Sequence, residues 1–173
     1  MRLSLERDTL PAVDPKALRN AFGHFPTGVC IVAATLPNGE RIGVTVNSFT
    51  SVSLDPPLLL VCLARSLRSH DALVTSGGFA ITVLHGEQAP VSTRFASSGA
   101  DKWLDMEASE GAAGGLILNP HLAWFDCAAH AALPGGDHTI LLGRVLRHGT
   151  VEQAAPLLYY RGGYAALAAG RTA

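Results

Sequence analysis

Residues 41–64, RIGVTVNSFTSVSLDPPLLLVCLA, set a period of two that dictates what the chain can fold into. From Val44 to Ser53 apolar residues interleave with hydroxyl and amide ones, and successive side chains of an extended strand point to opposite faces. After Pro56 and Pro57 the alternation gives way to an unbroken apolar run, Leu58 to Ala64, as in a strand buried on both sides. The same phrasing recurs along the chain. GVCIVAAT (28–35) reads as a buried strand, Pro37, Asn38 and Gly39 as a turn and 41–52 as the returning strand, so that 28–52 forms a hairpin. Further strands are expected at 57–64, 78–85, 116–133 and 138–151, the last two joined by the PGGD turn at 134–137, with a final strand in LLYYRGGYAAL.

Helical spacing is scarcer. Asp14-Pro15 has the form of an N-cap followed by proline in the first turn, and Leu18, Ala21, Phe22 and Phe25 recur at helical intervals before Pro26 and Gly28. Residues 66–77 and part of 87–98 are expected to be short helices, and 99–115 is rich in loop residues. About seven strands and three short helices with short connections favour an antiparallel barrel over a parallel βαβ sheet, because closure removes exposed strand edges.

The chain has 173 residues, 48% hydrophobic and 16% charged, enough for one globular domain with its own core. A formal net charge of −1 offers no electrostatic grip on nucleic acid or an anionic membrane. The run Leu58 to Ala64 is the longest wholly apolar one and is too short to span a bilayer, and residues 1–13 lack the apolar core of a secretory signal. Cys30, Cys62 and Cys127 are odd in number, far apart and set in apolar surroundings, so they read as buried thiols of a reducing, cytoplasmic compartment. The expected organisation is an N-terminal extension (1–13), one domain (14–168) and a short tail (169–173).

Several chemistries find no support in the motifs. GxGxxG, GxxxxGK[ST] and GxSxG are missing, and the seven histidines include no HExxH, so no metal site is expected. Three stretches remain as candidates, each with two readings. The polar strand carrying Thr45, Asn47, Phe49, Ser51 and Ser53 on one side is either a solvated face or a ligand wall. In a wall, Asn47 would offer donors and an acceptor to a heterocycle edge of alternating C=O and N–H groups. Arg65, Ser66, Arg68, Ser69 and His70 lie where a strand runs into a helix; Ser66 is either an ordinary cap beside exposed arginines or part of a phosphate seat. His138, after a glycine-rich turn, is either surface polarity or a group that meets a ligand's amide or negative charge.

Taken together, FPTGVCIVAA, GVTVNSFTSVSLDPPLLLVCLA, SHDAL, FAITVL, RFA, GGDHTILLGRV and PLLYYRGGY resemble, in this order, the short-chain flavin reductases, the small components of two-component flavin-dependent monooxygenases. The resemblance spans about residues 16–165 and implies a mainly β, FMN-binding split barrel with a few short helices, usually a homodimer. It implies an NAD(P)H-dependent enzyme, with NADH favoured over NADPH, that reduces FMN or FAD and releases the reduced flavin to a partner oxygenase. Carried over by motif, Pro26, Thr27 and the segment Thr45, Val46, Asn47 and Ser48 line the isoalloxazine and ribityl chain. Cys62, Leu63 and Ala64 lie along the flavin through their backbone; Ser69, with Arg65 and His70, sits near the phosphate; Phe95 packs on the flavin site; His138 meets the nicotinamide. Where many relatives carry Lys or Asn, this chain has Ala64-Arg65-Ser66, which leaves the choice of FMN or FAD open. Two rival activities share the same barrel: an oxidase or dehydrogenase with tightly bound FMN, and a non-enzymatic flavin-binding protein. Since the flavin carries the chemistry, the protein needs no nucleophile of its own.

Overall fold

The period of two is realised as a sheet that rolls up on itself. The computed structural model describes residues 12–99, 101–151 and 154–168, so the expected tail 169–173 and all of the expected extension before residue 12 lie outside the described residues. In chain order the elements are α1 (Pro15–Phe22), β1 (Thr27–Gly28), β2 (Cys30–Thr35), β3 (Arg41–Val46), β4 (Thr50–Leu54) and β5 (Pro57–Ala64). Then follow α2 (His70–Thr75), β6 (Gly78–Val83), α3 (Ala89–Ala96), β7 (Glu107–Glu110) and β8 (Leu116–Asn119). The long pair β9 (Ala123–Gly135) and β10 (His138–Thr150) and the small hairpin β11 (Leu158–Tyr160) and β12 (Gly163–Ala165) complete the fold. No helix among the described residues is long and apolar enough to cross a membrane.

Seven strands form one antiparallel sheet in the order β3-β2-β6-β9-β10-β5-β4. β3 and β4 follow one another in sequence yet occupy opposite edges. In a flat sheet those edges would stand about 29 Å apart, at about 4.8 Å per strand. The chain from Val46 to Thr50 reaches about 14 Å when fully extended. The sheet must therefore curl until its edges face each other across a seam, and residues 47–49 cross that seam. This is a split antiparallel barrel, as the alternation led one to expect.

Two apolar clusters hold it. Val32, Val44, Leu59, Val61, Leu63, Phe79, Ile81 and Leu141 fill the barrel. Outside it, Val29, Ile31 and Ala33 pack under Phe95 of α3, Leu116 and Leu118 of β8, Leu84 and Leu157. β2 is thus covered on both faces, which is why Cys30 to Ala34 form an unbroken apolar run. At Gly43 on β3 an added Cβ would lie 2.6 Å from Phe95 Cε1, so the missing side chain is what lets α3 settle against the barrel wall.

The structure corrects several expectations. The strand expected at 41–52 breaks at 47–49, because Asn47 and Ser48 leave the ladder to cross the seam; Phe49 turns inward and stacks on Phe125 (5.4 Å between ring centres). β5 was expected to be buried on both faces, but only Leu59, Val61 and Leu63 are; Leu58, Leu60, Cys62 and Ala64 face outward and are half-buried. Cys62 is accordingly a half-buried thiol, whereas Cys30 and Cys127 are buried. The loop-rich stretch 99–115 contains β7, the strand expected at 116–133 divides at Pro120, and the C-terminal strand is a hairpin. That hairpin turns on Arg161 and Gly162, both with left-handed φ (49° and 83°). α1 has the expected cap, Asp14 Oδ1 accepting from the Lys16 N–H at 3.0 Å, but buries none of its residues. Phe22 and nearby Phe25 are 68% and 76% exposed.

Candidate functional site

The seam places the polar residues. Asn47 and Ser48 lie where neither edge strand can supply the other with backbone hydrogen bonds. Ser48 Oγ fills that gap, accepting from the Cys62 N–H at 2.9 Å and donating to the Cys62 carbonyl at 3.2 Å. Thr45 is also engaged: its hydroxyl donates to the Ser92 carbonyl at 2.6 Å, while Tyr164 donates to Ser92 Oγ at 2.8 Å. Among the described residues Asn47 makes no comparable tie, and it is exposed. It forms a common wall of three concavities, of about 820, 560 and 230 Å³. Thr27 lines the two larger ones, and its Oγ1 is buried without a partner among the described residues; Pro26 joins it in the 560 Å³ one. Thr45 and Val46 line the smallest, with Ser92, Ala96 and Tyr164.

A fourth concavity, of about 500 Å³, lies beyond α3 and shares Ala96 with the smallest. Ser66, Arg68 and Ser69 form one side of it, and Phe95, Lys102 and Trp103 the other. Arg41 adds a third cation to the lining, and Asp101 adds a carboxylate. Ser69, not Ser66, is the residue that precedes α2, and its side chain makes no capping hydrogen bond, so its hydroxyl is available. Phe95 is wholly buried, its ring edge-to-face with Trp103 at 5.0 Å. Lys102 Nζ donates to the carbonyls of Phe95 (2.8 Å) and Gly43 (3.3 Å), fastening residues 101–104 onto the end of α3. Burial holds its pKa below the ordinary lysine value.

The remaining sequence candidates separate by strand periodicity. Leu63 points into the barrel and is fully buried. Cys62, Ala64 and His138 face outward together, since His138 pairs with Ala64 and Ile140 with Cys62 in the β5–β10 register. His138 is 40% exposed, and its Nδ1 lies 2.7 Å from Asp137 Oδ1. A carboxylate only accepts, so the proton sits on Nδ1 and Nε2 is left for a ligand. The hydrogen bond from His138, and then its charge, hold the Asp137 carboxyl below its usual value. Arg65 and His70 do not line the 500 Å³ concavity. The Arg65 N–H donates to the Asp137 carbonyl at 3.0 Å, and the His70 ring is held between Asp71 and Thr139.

Of the sequence candidates, Asn47, Ser69 and Phe95 come to the concavities while His138 lies on the outer face of the sheet; Arg41, Ser92, Lys102, Trp103 and Tyr164 join the same walls without having been singled out in the sequence. Lys102 and Trp103 sit in the glycine-rich stretch 99–115, where no periodicity marks a residue as facing inward. Among the described residues no three His, Cys, Asp or Glu side chains converge as a metal site would need.

What this arrangement can do is hold an amphipathic, anionic, planar molecule. A free amide and an unpartnered buried hydroxyl meet apolar walls, and a cationic rim with a free serine hydroxyl lies close by. A flavin nucleotide fits that donor set: the heterocycle edge matches Asn47 and the phosphate matches Arg68, Ser69 and Lys102.

Comparison with known proteins agrees. The family model for the flavin reductase like domain matches residues 22–168. A Rhizobium meliloti (strain 1021) protein named "Probable flavin reductase" is 46% identical over 156 residues, covering 90% of this chain; the chain spans 50% of that relative's length. The reductase subunit of a flavin-dependent monooxygenase from Rhodococcus jostii (strain RHA1) is 37% identical over 161 residues, 93% of this chain and 82% of the relative. The solved NADH:FAD oxidoreductase of Streptomyces globisporus, in complex with NAD and FAD fragments, superposes with a TM-score of 0.84 at 35% identity, covering 92% of this chain and 98% of that one.

Proposed function

The chain belongs to the flavin reductase like domain family, and from that premise we propose that it is an NAD(P)H:flavin oxidoreductase that reduces FMN or FAD and delivers the product to a partner monooxygenase. The observation that carries this reading is Asn47: an exposed amide on the barrel seam, shared by three concavities and unencumbered where Thr45 and Ser48 are tied down. Bound flavin supplies the two-electron acceptor and the dinucleotide supplies the hydride. The chain's own residues bind and orient. Asn47 pairs with the polar edge of the ring and Thr27 offers its unpartnered hydroxyl beside it. Arg68, Ser69 and Lys102 take the phosphate, which explains a local cationic rim on a chain of net charge −1. His138, its Nδ1 tied to Asp137, presents Nε2 toward the nicotinamide amide.

The same reading includes a homodimer. Leu58 and Leu60 of β5, Ile140 and Leu142 of β10 and Leu133 of β9 share the outer face of one sheet, and no element among the described residues covers them. A second copy is the occupant that fits, and it would border Cys62, Ala64 and His138. Light scattering after gel filtration checks this; a monomer at micromolar concentration would refute it. The three free cysteines suit the reducing cytoplasm.

Stopped-flow mixing of the protein with NADH and FMN or FAD, followed at the flavin absorbance band, tests the activity. Bleaching with multiple turnovers of added flavin is expected. Flavin that survives exhaustive dialysis, with no reduction of added flavin, would establish a tightly bound group instead, and binding without NADH oxidation would establish a carrier. Asn47→Ala should weaken flavin binding about tenfold, about 1.4 kcal/mol.

A further inference from the structure

We propose that His70 is a positioning residue: through Thr139 it fixes His138 against the Ser66–Ser69 turn. The inference rests on the reading of His138 given above.

The His70 ring is 12% exposed and hydrogen-bonded at both nitrogens. Nδ1 lies 2.7 Å from Asp71 Oδ1, and Nε2 lies 2.8 Å from Thr139 Oγ1. Because the Asp71 carboxylate only accepts, Nδ1 carries the proton, and in the neutral ring Nε2 accepts the hydroxyl proton of Thr139. Thr139 is buried and points into the barrel, while its neighbour His138 points out. The ring therefore holds the strand that carries His138 without occupying the face His138 presents.

A second tie lies on the other side of the same turn. The Arg65 N–H donates to the Asp137 carbonyl at 3.0 Å, and Ala64 pairs with His138 in the β5–β10 ladder. Residues 65–70 are thus fastened to residues 137–139 at both ends. Ser69, immediately before His70, and His138, immediately before Thr139, cannot shift independently. A phosphate seat and a nicotinamide-facing imidazole must keep a set distance if one flavin is to meet both, and misplacement of a reacting pair by about 1 Å lowers rates by about 100-fold. The family resemblance places His70 near the phosphate; the hydrogen bonds to Asp71 and Thr139 give it a place behind both groups.

The test is a double-mutant cycle on the limiting rate of flavin reduction in single-turnover stopped flow. Thr139→Val keeps the β-branched shape and removes only the hydroxyl. It should lower the rate fivefold or more, as should His70→Phe, and the two together should do no worse than either alone. Thr139→Ser should recover the rate to within twofold. In a His138→Ala background, Thr139→Val should have an effect of less than twofold. Far-UV circular dichroism and thermal midpoints of each variant confirm that the barrel is intact. If His138→Ala leaves the rate unchanged, the role of His138 falls, and the inference with it. If His138→Ala slows reduction while Thr139→Val does not, the inference alone is overturned. It is overturned equally if Thr139→Val slows reduction as much without His138 as with it, since the effect would then run through the fold at large.

Discussion

Ser48→Ala separates what holds the barrel closed from what holds a ligand. β4 pairs with β5 only as far as Leu60, so at Cys62 the seam edge of β5 relies on the Ser48 hydroxyl. Alanine removes a bond of 2.9 Å to the Cys62 N–H and one of 3.2 Å to its carbonyl. Leaving a buried donor unpaired costs about 1–3 kcal/mol, and because these groups are half-buried, water can recover part of it, so a loss of about 1–2 kcal/mol is expected. In a chain of this size each kcal/mol lowers the thermal midpoint by about 2–4 °C, which gives about 2–8 °C here. Urea unfolding is the assay, with the midpoint falling and the m-value unchanged. Ser48→Thr keeps the hydroxyl and should stay within about 0.5 kcal/mol of the parent. Flavin affinity, measured alongside, should weaken by no more than a few fold. If instead stability holds to within about 0.3 kcal/mol while flavin affinity drops tenfold, the hydroxyl is a ligand group and the account of the seam is wrong.

Three further outcomes follow from the packing and charge of the same walls. Burial pushes the Cys30 and Cys127 thiols up to about 12, with the Asp126 charge adding to the effect at Cys127. An aromatic disulfide reagent at pH 8 should therefore label Cys62 alone until denaturant is added, and rapid loss of a second thiol would contradict the core placement. Gly43→Ala sets a methyl 2.6 Å from Phe95 Cε1 and 3.2 Å from Trp103 Cζ2, so it should cost about 1–3 kcal/mol and alter the near-UV signal of Trp103; an unchanged midpoint would mean α3 is packed more loosely than described. His138 holds the Asp137 carboxyl below its usual value, so the stabilisation this pair gives is present above the ordinary carboxylate range and is lost as pH falls through the lowered value. A carbon-detected NMR titration should show Asp137 return toward an ordinary carboxylate in His138→Ala, and an unmoved titration would dissolve the pair.

Much of the fold was legible because the barrel obeys period two almost everywhere. Cys30 to Ala34 are apolar at every position because β2 has one face in the barrel and the other under α3, and the sequence shows that directly. β5 shows the limit of the same rule. Leu58, Leu60 and Cys62 are as apolar as Leu59, Val61 and Leu63, so the run reads as buried on both sides, yet the described residues cover only one. Apolarity records that a face is covered without saying by which chain. The exposed Phe22 and Phe25 on and beside α1 pose the same question, and the second copy proposed above would answer both.

The site was legible residue by residue and not as a shape. Alternation across 44–53 makes Asn47, Phe49 and Ser51 neighbours on one face, which would be true of a continuous strand. The topology forbids it, since β3 and β4 stand at opposite edges of the curled sheet and residues 47–49 are the bridge between them. The local pattern marks that break only by a lapse: Asn47-Ser48 and Thr50-Ser51 set two polar residues in a row on either side of Phe49, while the alternation holds before and after. The break nevertheless explains their chemistry. An asparagine within a ladder would present its amide to one face only, whereas at the crossing Asn47 borders three concavities at once. A serine within a ladder would have no backbone to close, whereas Ser48 supplies the hydrogen bonds that a missing strand neighbour cannot. The polar residues gather at this point because the barrel must split somewhere, and a split lined by side chains with free donors is where a flat heterocycle with a polar rim finds partners.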